Sequence, residues 1–97
     1  MLLSAVLDAY SLYRPIRANS LYQYTRSAGV LGDWLGRPAS TEDLVPDVIS
    51  GWVRWMEDRY SQASRAGHRA KVLVIWRFAA KRQWSASPWR GRAGSTT

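Results

Sequence analysis

Between Ser64 and Gln83 the chain reads SRAGHRAKVLVIWRFAAKRQ, and Val72, Ile75, Trp76 and Ala79 recur in it at spacings of three and four. That period puts all four on one face of a helix. Ser64 is the expected N-cap, because its hydroxyl can accept from a backbone N–H left unpaired in the first turn. Around the apolar stripe stand Arg65, His68, Arg69, Lys71, Arg77, Lys81 and Arg82, with no acidic residue among them. A helix apolar on one side and cationic on the others is expected to close a core and to face a polyanion.

The rest of the chain supplies partners for that stripe. Leu3, Val6, Leu7, Tyr10 and Tyr13 share a helical face and predict a first helix over about 2–13. Pro15 ends it, since the residue before a proline is pushed out of the α region. A second helix is predicted over about 20–35, with Ser20 as cap, Leu21, Tyr24, Ala28, Leu31 and Leu35 inward, and Gly36 as its stop. Gly29 and Gly32 each weaken it by roughly 1 kcal/mol relative to Ala, and are read as permitting close helix approach or lying on the solvent face. Arg37 to Leu44 reads as a polar loop. Pro46 suits the first position of a third helix, where its missing N–H costs nothing, and Asp47 suits the dipole there. That helix is predicted over about 46–60, with Ile49, Trp52, Val53, Met56 and Tyr60 inward, and the fourth over about 64–83. From Ser85 the sequence SASPWRGRAGSTT has no period and reads as a linker or tail, leaving residues 1–84 as the domain. The expected fold class is all-α: four helices on short connections, packed as a compact bundle.

Composition narrows what such a bundle can do. Ninety-seven residues are near the lower end for a core without staples, and six Trp and five Tyr compensate through the large area each buries. With no cysteine and one histidine, disulfides and Cys- or His-rich metal sites are excluded, and no cofactor motif is present. The apolar run from Val72 to Trp76 is far short of the roughly 20 residues that span a bilayer, and no basic leader precedes the first helix, so a cytoplasmic protein is expected. Residues 1–58 hold five arginines against seven acids, a net of −2, while residues 59–97 hold nine basic residues and no acid, a net of +9. Twelve of the fourteen cations are Arg, the side chain suited to bidentate phosphate contacts. So one-sided an excess points first to nucleic acid.

Three stretches carry a family resemblance. SLYQYTRSAGVLGDWLG resembles the second helix of the N-terminal core-binding domain of tyrosine recombinases, the phage integrase family, with Ser20, Leu21, Tyr24, Leu31, Trp34 and Leu35 in the expected places. SRAGHRAKVLVIWRFAAKRQWSASP resembles that domain's last helix through Ser64, Val72, Ile75, Trp76, Phe78 and Ala79, with Ser87-Pro88 where the family often has Asn-Pro. EDLVPDVISGWVRWM is similar to its third helix. The order and spacing over residues 2–90 are more telling than any one motif. Val45 departs from the usual Thr cap, and Trp84 stands where a Gly is common. The resemblance implies a SAM-like four-helix bundle that clamps one face of duplex DNA at a recombination site. It also implies a separate catalytic domain holding the tyrosine nucleophile and its Arg, Lys and His-x-x-Arg assistants. Partners would then be double-stranded DNA, that catalytic domain and neighbouring recombinase protomers, with no membrane.

No catalytic role is expected for this stretch itself. His68 is followed three residues on by Lys71 rather than Arg, and Tyr10, Tyr13, Tyr24 and Tyr60 read as packing. Glu42, Asp43 and Asp47 lack the repeating ligand pattern of a cation loop and read as a solvated loop and helix start. The expected DNA contacts are Asn19, Ser20, Tyr22, Gln23 and Arg26 on the second helix, Ser64, Arg65, His68, Arg69 and Lys71 on the fourth, and Arg90 and Arg92 in the tail. Most would go to phosphates, which position a protein without reading sequence. The competing expectation is a helical protein-interaction or self-association module, with Trp55, Trp84 and Trp89 at its interface. One continuous basic face would favour DNA; cations scattered beside exposed Trp would favour a protein.

Overall fold

Two breakers, Pro15 and Gly36, divide the first half of the chain. In this computed structural model, which describes residues 1–85, α1 spans Leu3–Tyr13 and α2 spans Ala18–Leu35. Gly36 takes the left-handed conformation at φ 76° and turns its N–H back to the Gly32 carbonyl, 2.8 Å away. A short 3-10 turn, Thr41–Asp43, leads to α3, Pro46–Met56, with Pro46 in its first turn. The fourth helix, α4, spans Gln62–Lys81. Arg90, Arg92, Trp89 and the Ser87-Pro88 pair lie outside the described residues.

The four expected helices form, with differences at their ends. Helix α2 starts at Ala18, two residues early, and Arg17 rather than Ser20 occupies the cap position, without a side-chain cap. Arg17 is extended and Leu21 N–H donates to its carbonyl at 3.0 Å, the first helical bond of α2. Helix α3 stops at Met56, four residues before the expected end, where Tyr60 N–H folds back onto the Met56 carbonyl at 3.0 Å. At α4 the cap is Ser61, not Ser64: Ser61 Oγ accepts from the Ser64 N–H at 3.2 Å. The helix ends at Lys81, and the left-handed residue after it is Gln83, at φ 63°, rather than Trp84. Gln83 N–H donates to Ala80 O at 2.9 Å and Trp84 N–H to Ala79 O at 2.8 Å, the paired bonds of a Schellman stop. The hydrophobic contact that accompanies such a stop is Trp84 edge-on to Phe78, ring centroids 5.9 Å apart.

Helix α4 sits at the centre, packing against α1, α2 and α3 in turn. Its Val72, Ile75, Trp76, Phe78 and Ala79 are buried, together with Leu3, Val6 and Leu7 of α1, Val30 and Leu31 of α2, and Trp52 and Met56 of α3. Each large side chain so removed from water contributes about 1.5–3 kcal/mol. Tyr13 departs from its expected core position and is 67% exposed, because α1 ends there, at the rim of the bundle.

The segment expected to be a polar loop is instead part of the core. Ala39, Ser40, Thr41, Asp43 and Leu44 are buried, and Leu44 is fully so. The N-terminus is tied to it: Leu3 N–H donates to Ala39 O at 2.9 Å and Thr41 N–H to Met1 O at 2.8 Å. Asp43, expected to be solvated, accepts a two-pronged contact from the Arg37 guanidinium, with Nη1 to Oδ2 at 2.9 Å, and also the Ser40 N–H at 2.8 Å. The bond from Arg37 holds the Asp43 carboxyl below the usual carboxylate range, against the opposing effect of its burial. This contribution to stability is therefore complete above the ordinary Asp value and is lost as pH falls through the lowered one. Comparing urea midpoints at pH 7 and pH 3, we expect Asp43→Asn to lose less stability on acidification than the wild type does.

The two glycines of α2 separate cleanly. A Cβ at Gly29 would meet nothing within 4 Å, whereas one at Gly32 would lie 2.9 Å from the Arg37 backbone carbonyl. Gly29→Ala is expected to stabilise by about 0.5–1 kcal/mol, and Gly32→Ala to destabilise by about 1–3 kcal/mol. Thermal melts should move by roughly 4–8 °C per kcal/mol in a domain this small, upward for the first and downward for the second.

Candidate functional site

On α2, Asn19, Tyr22, Gln23 and Arg26 recur at spacings of three and four, so they share one flank of the helix. Asn19 and Ser20 are exposed within the first turn, Tyr22 is 61% exposed, Gln23 is half-buried, and Arg26 is exposed. The next residue, Ser27, is buried and marks where α2 meets α4: its Oγ lies 2.9 Å from His68 Nδ1 in a shared hydrogen bond. The His68 ring also stands edge-on to Tyr60, centroids 5.4 Å apart. His68 is thus a half-buried seam residue rather than a free surface group.

Burial, then the charges of Arg26 and Lys71, push the His68 imidazole below the ordinary histidine value. The two cations come from different helices, and both are near enough to the seam for their charge to act on the same imidazole. The remaining cations of α4 point elsewhere. Arg69 and Lys71 are two residues apart on a helix, a spacing that sends side chains to opposite flanks. Arg69 lines a groove between α3 and α4 together with Arg54, Arg77 and the acid Glu57, and Ile49, Val53, Leu73 and Trp76 form its apolar part. Arg65 reaches back to the end of α3, where Nη1 donates to the Glu57 carbonyl at 3.2 Å. Ser64 is exposed near the N-terminus of α4 and is engaged with Ser61.

The twelve anticipated contact residues therefore do not make one face. Ten lie in the described region. They divide into a seam group on α2 and α4 and a groove group to which Arg69 belongs, with Arg65 held at the α3 end by Glu57, which also lines the groove. Sequence reasoning missed Arg54 and Arg77 as neighbours of Arg69. Arg77 was within reach, since it lies eight residues beyond Arg69 on the same side of the helix. Arg54 was not, because only the packing of α3 on α4 brings it there.

Among the described residues, no group of three or more His, Cys, Asp or Glu side chains is placed to hold a metal ion. No helix among them is long and apolar enough to cross a membrane. Comparison with protein-family models, with curated proteins and with solved structures finds nothing that matches the chain.

The depressed His68 gives the seam a pH signature. The unfolded chain takes up the proton more readily than the folded one, so stability is full above the ordinary histidine value near 6.5 and declines as pH falls through the lowered value. Melts between pH 8 and pH 5 should show this decline in the wild type and a flatter profile in His68→Asn, which has no imidazole to protonate.

Proposed function

We propose that the chain binds duplex DNA through its backbone phosphates, as a helical domain of the core-binding kind found in tyrosine recombinases, and that it performs no chemistry of its own. One observation carries this reading. Over its 20 residues α4 holds Arg65, Arg69, Lys71, Arg77 and Lys81 and no acid, while its apolar stripe is spent on the core. The helix's own charged side chains therefore have one sign on both flanks, and with cations outnumbering the single acid Glu57 in the groove that surface suits a polyanion. The seam group and the groove group would take phosphates on either side of α4. Double-stranded DNA would be the primary partner; a catalytic domain and further recombinase protomers would assemble on it.

A second reading is favoured by the end of α1, where Leu12 is 88% exposed beside the exposed Tyr13. Bulky side chains in that position suit a protein contact. It makes the opposite prediction for salt, because apolar docking does not release counterions.

Fluorescence anisotropy with a labelled duplex of about 25 base pairs separates the two. Non-specific affinity of about 10⁻⁴–10⁻⁶ M at physiological salt is expected, with log K falling by roughly 0.9 per phosphate neutralised as log salt rises. Arg26→Ala/Lys71→Ala and Arg54→Ala/Arg69→Ala should each weaken binding and flatten that slope by about 1–2. Binding that is absent at low salt, or that ignores salt, overturns the proposal.

A further inference from the structure

A cleft of about 880 Å³ opens where the end of α1 and the connection to α2 meet the C-terminal half of α4. It shares none of its lining with the Arg26–Lys71 seam and only Arg77 with the Arg69 groove. Tyr10, Tyr13 and Tyr24 line it together with Arg14, Arg77 and Lys81, and no carboxylate does. Its size falls within the roughly 300–1,000 Å³ of clefts that hold small organic ligands. The rings are fixed against one another: Tyr10 stands edge-on to Tyr24 at 6.0 Å and to Phe78 at 4.9 Å. Tyr13 tilts against Phe78 at 5.8 Å and carries the Arg82 guanidinium 4.7 Å from its centre, yet remains 67% exposed.

We propose that this cleft binds single-stranded nucleic acid, with a base against Tyr13 and the adjoining phosphates on Arg14 and Lys81. Two halves of a nucleotide are matched at once. A flat ring needs an exposed, held aromatic surface, and Tyr13 supplies one whose position is set by Arg82 and Phe78. A phosphate needs cations in a cleft with no acid on its lining, and Arg14 and Lys81 provide them. Together these are the ingredients by which single strands are held without regard to sequence. The inference goes beyond the duplex contact described above, and the side chains its test changes, Tyr13 and Arg14, belong to neither the seam nor the groove, so either can fail alone. A simpler account has Arg14 and Lys81 merely offsetting the carbonyl ends of α1 and α4. It leaves the exposure of Tyr13 unused and predicts no preference for a strand carrying bases.

The test is anisotropy with a labelled oligothymidylate of about twelve nucleotides, with poly-glutamate of matched charge as competitor and the duplex measured in parallel. The wild type should bind the oligomer, and poly-glutamate should compete poorly. Tyr13→Ala should weaken oligomer binding about tenfold, while Tyr13→Phe keeps it and duplex affinity stays within about twofold for both. Arg14→Ala should flatten the salt dependence for the oligomer by about 0.7 in log–log slope. Thermal melting checks that each variant is folded, and Arg14→Ala carries the test if Tyr13→Ala is not. Oligomer binding unchanged by Tyr13→Ala in a folded protein overturns the inference. So does poly-glutamate competing as well as the oligomer, or an oligomer that does not bind.

Discussion

Helix α4 must bury one stripe against three other helices at the same time, and the arrangement of the molecule follows from that demand. Val72, Ile75, Trp76, Phe78 and Ala79 occupy the buried arc, so no room remains on it for the charged side chains interspersed among them in sequence. Those side chains are driven to the two edges of the stripe. Where α2 covers one edge, Lys71 and Arg26 both act on the His68 ring; where α3 covers the other, Arg69 and Arg54 line one groove. A single rule of packing thus sets both what the bundle hides and where its charge is displayed. At the one place where the seam is polar, Ser27 and His68 satisfy each other, so burial of two hydrogen-bonding groups costs little while fixing how α2 lies on α4.

The legible parts of this fold were those written in the 3.6-residue period. The stripes of α1 and α4, the Pro46 start of α3 and the Gly36 stop of α2 all depend on neighbours within a turn or two, and all can be read from the chain. Helix starts were harder, because several residues compete for one cap. Ser20 and Ser64 both have suitable side chains, but Ala18 and Gln62 are good enough helix formers to let α2 and α4 begin earlier. The segment from Ala39 to Leu44 was illegible for a different reason. Six residues without a period look like any polar connection, and the bonds that tie them down come from Met1, Leu3 and Arg37, which only the folded chain brings to them.

The charged surface was legible as composition and less so as shape. That the C-terminal part of the chain is cationic is plain from the sequence. That Arg69 and Lys71 diverge follows from their spacing, though counting cations as one cluster conceals it. That Arg69 and Arg54 line one groove, and that three tyrosines with Arg14 and Lys81 surround a cleft, are tertiary facts with no local signal. Tyr13 shows the limit most clearly. Its place on the wheel belongs to the core face, but a helix face is buried only as far as its neighbours extend.

The two hydrogen bonds between the first residues and the segment after α2 turn the chain from Met1 to Thr41 into a ring. Its ends are far apart in sequence and joined in space, so closing it costs chain entropy that no local contact repays. The clasp adds to the grip that buried Leu3, Val6 and Leu7 already give α1, pinning its first turn from outside the core. The beginning of the chain is therefore a working part of the bundle's edge, and anything joined directly ahead of it would press on the same latch that holds α1 in place.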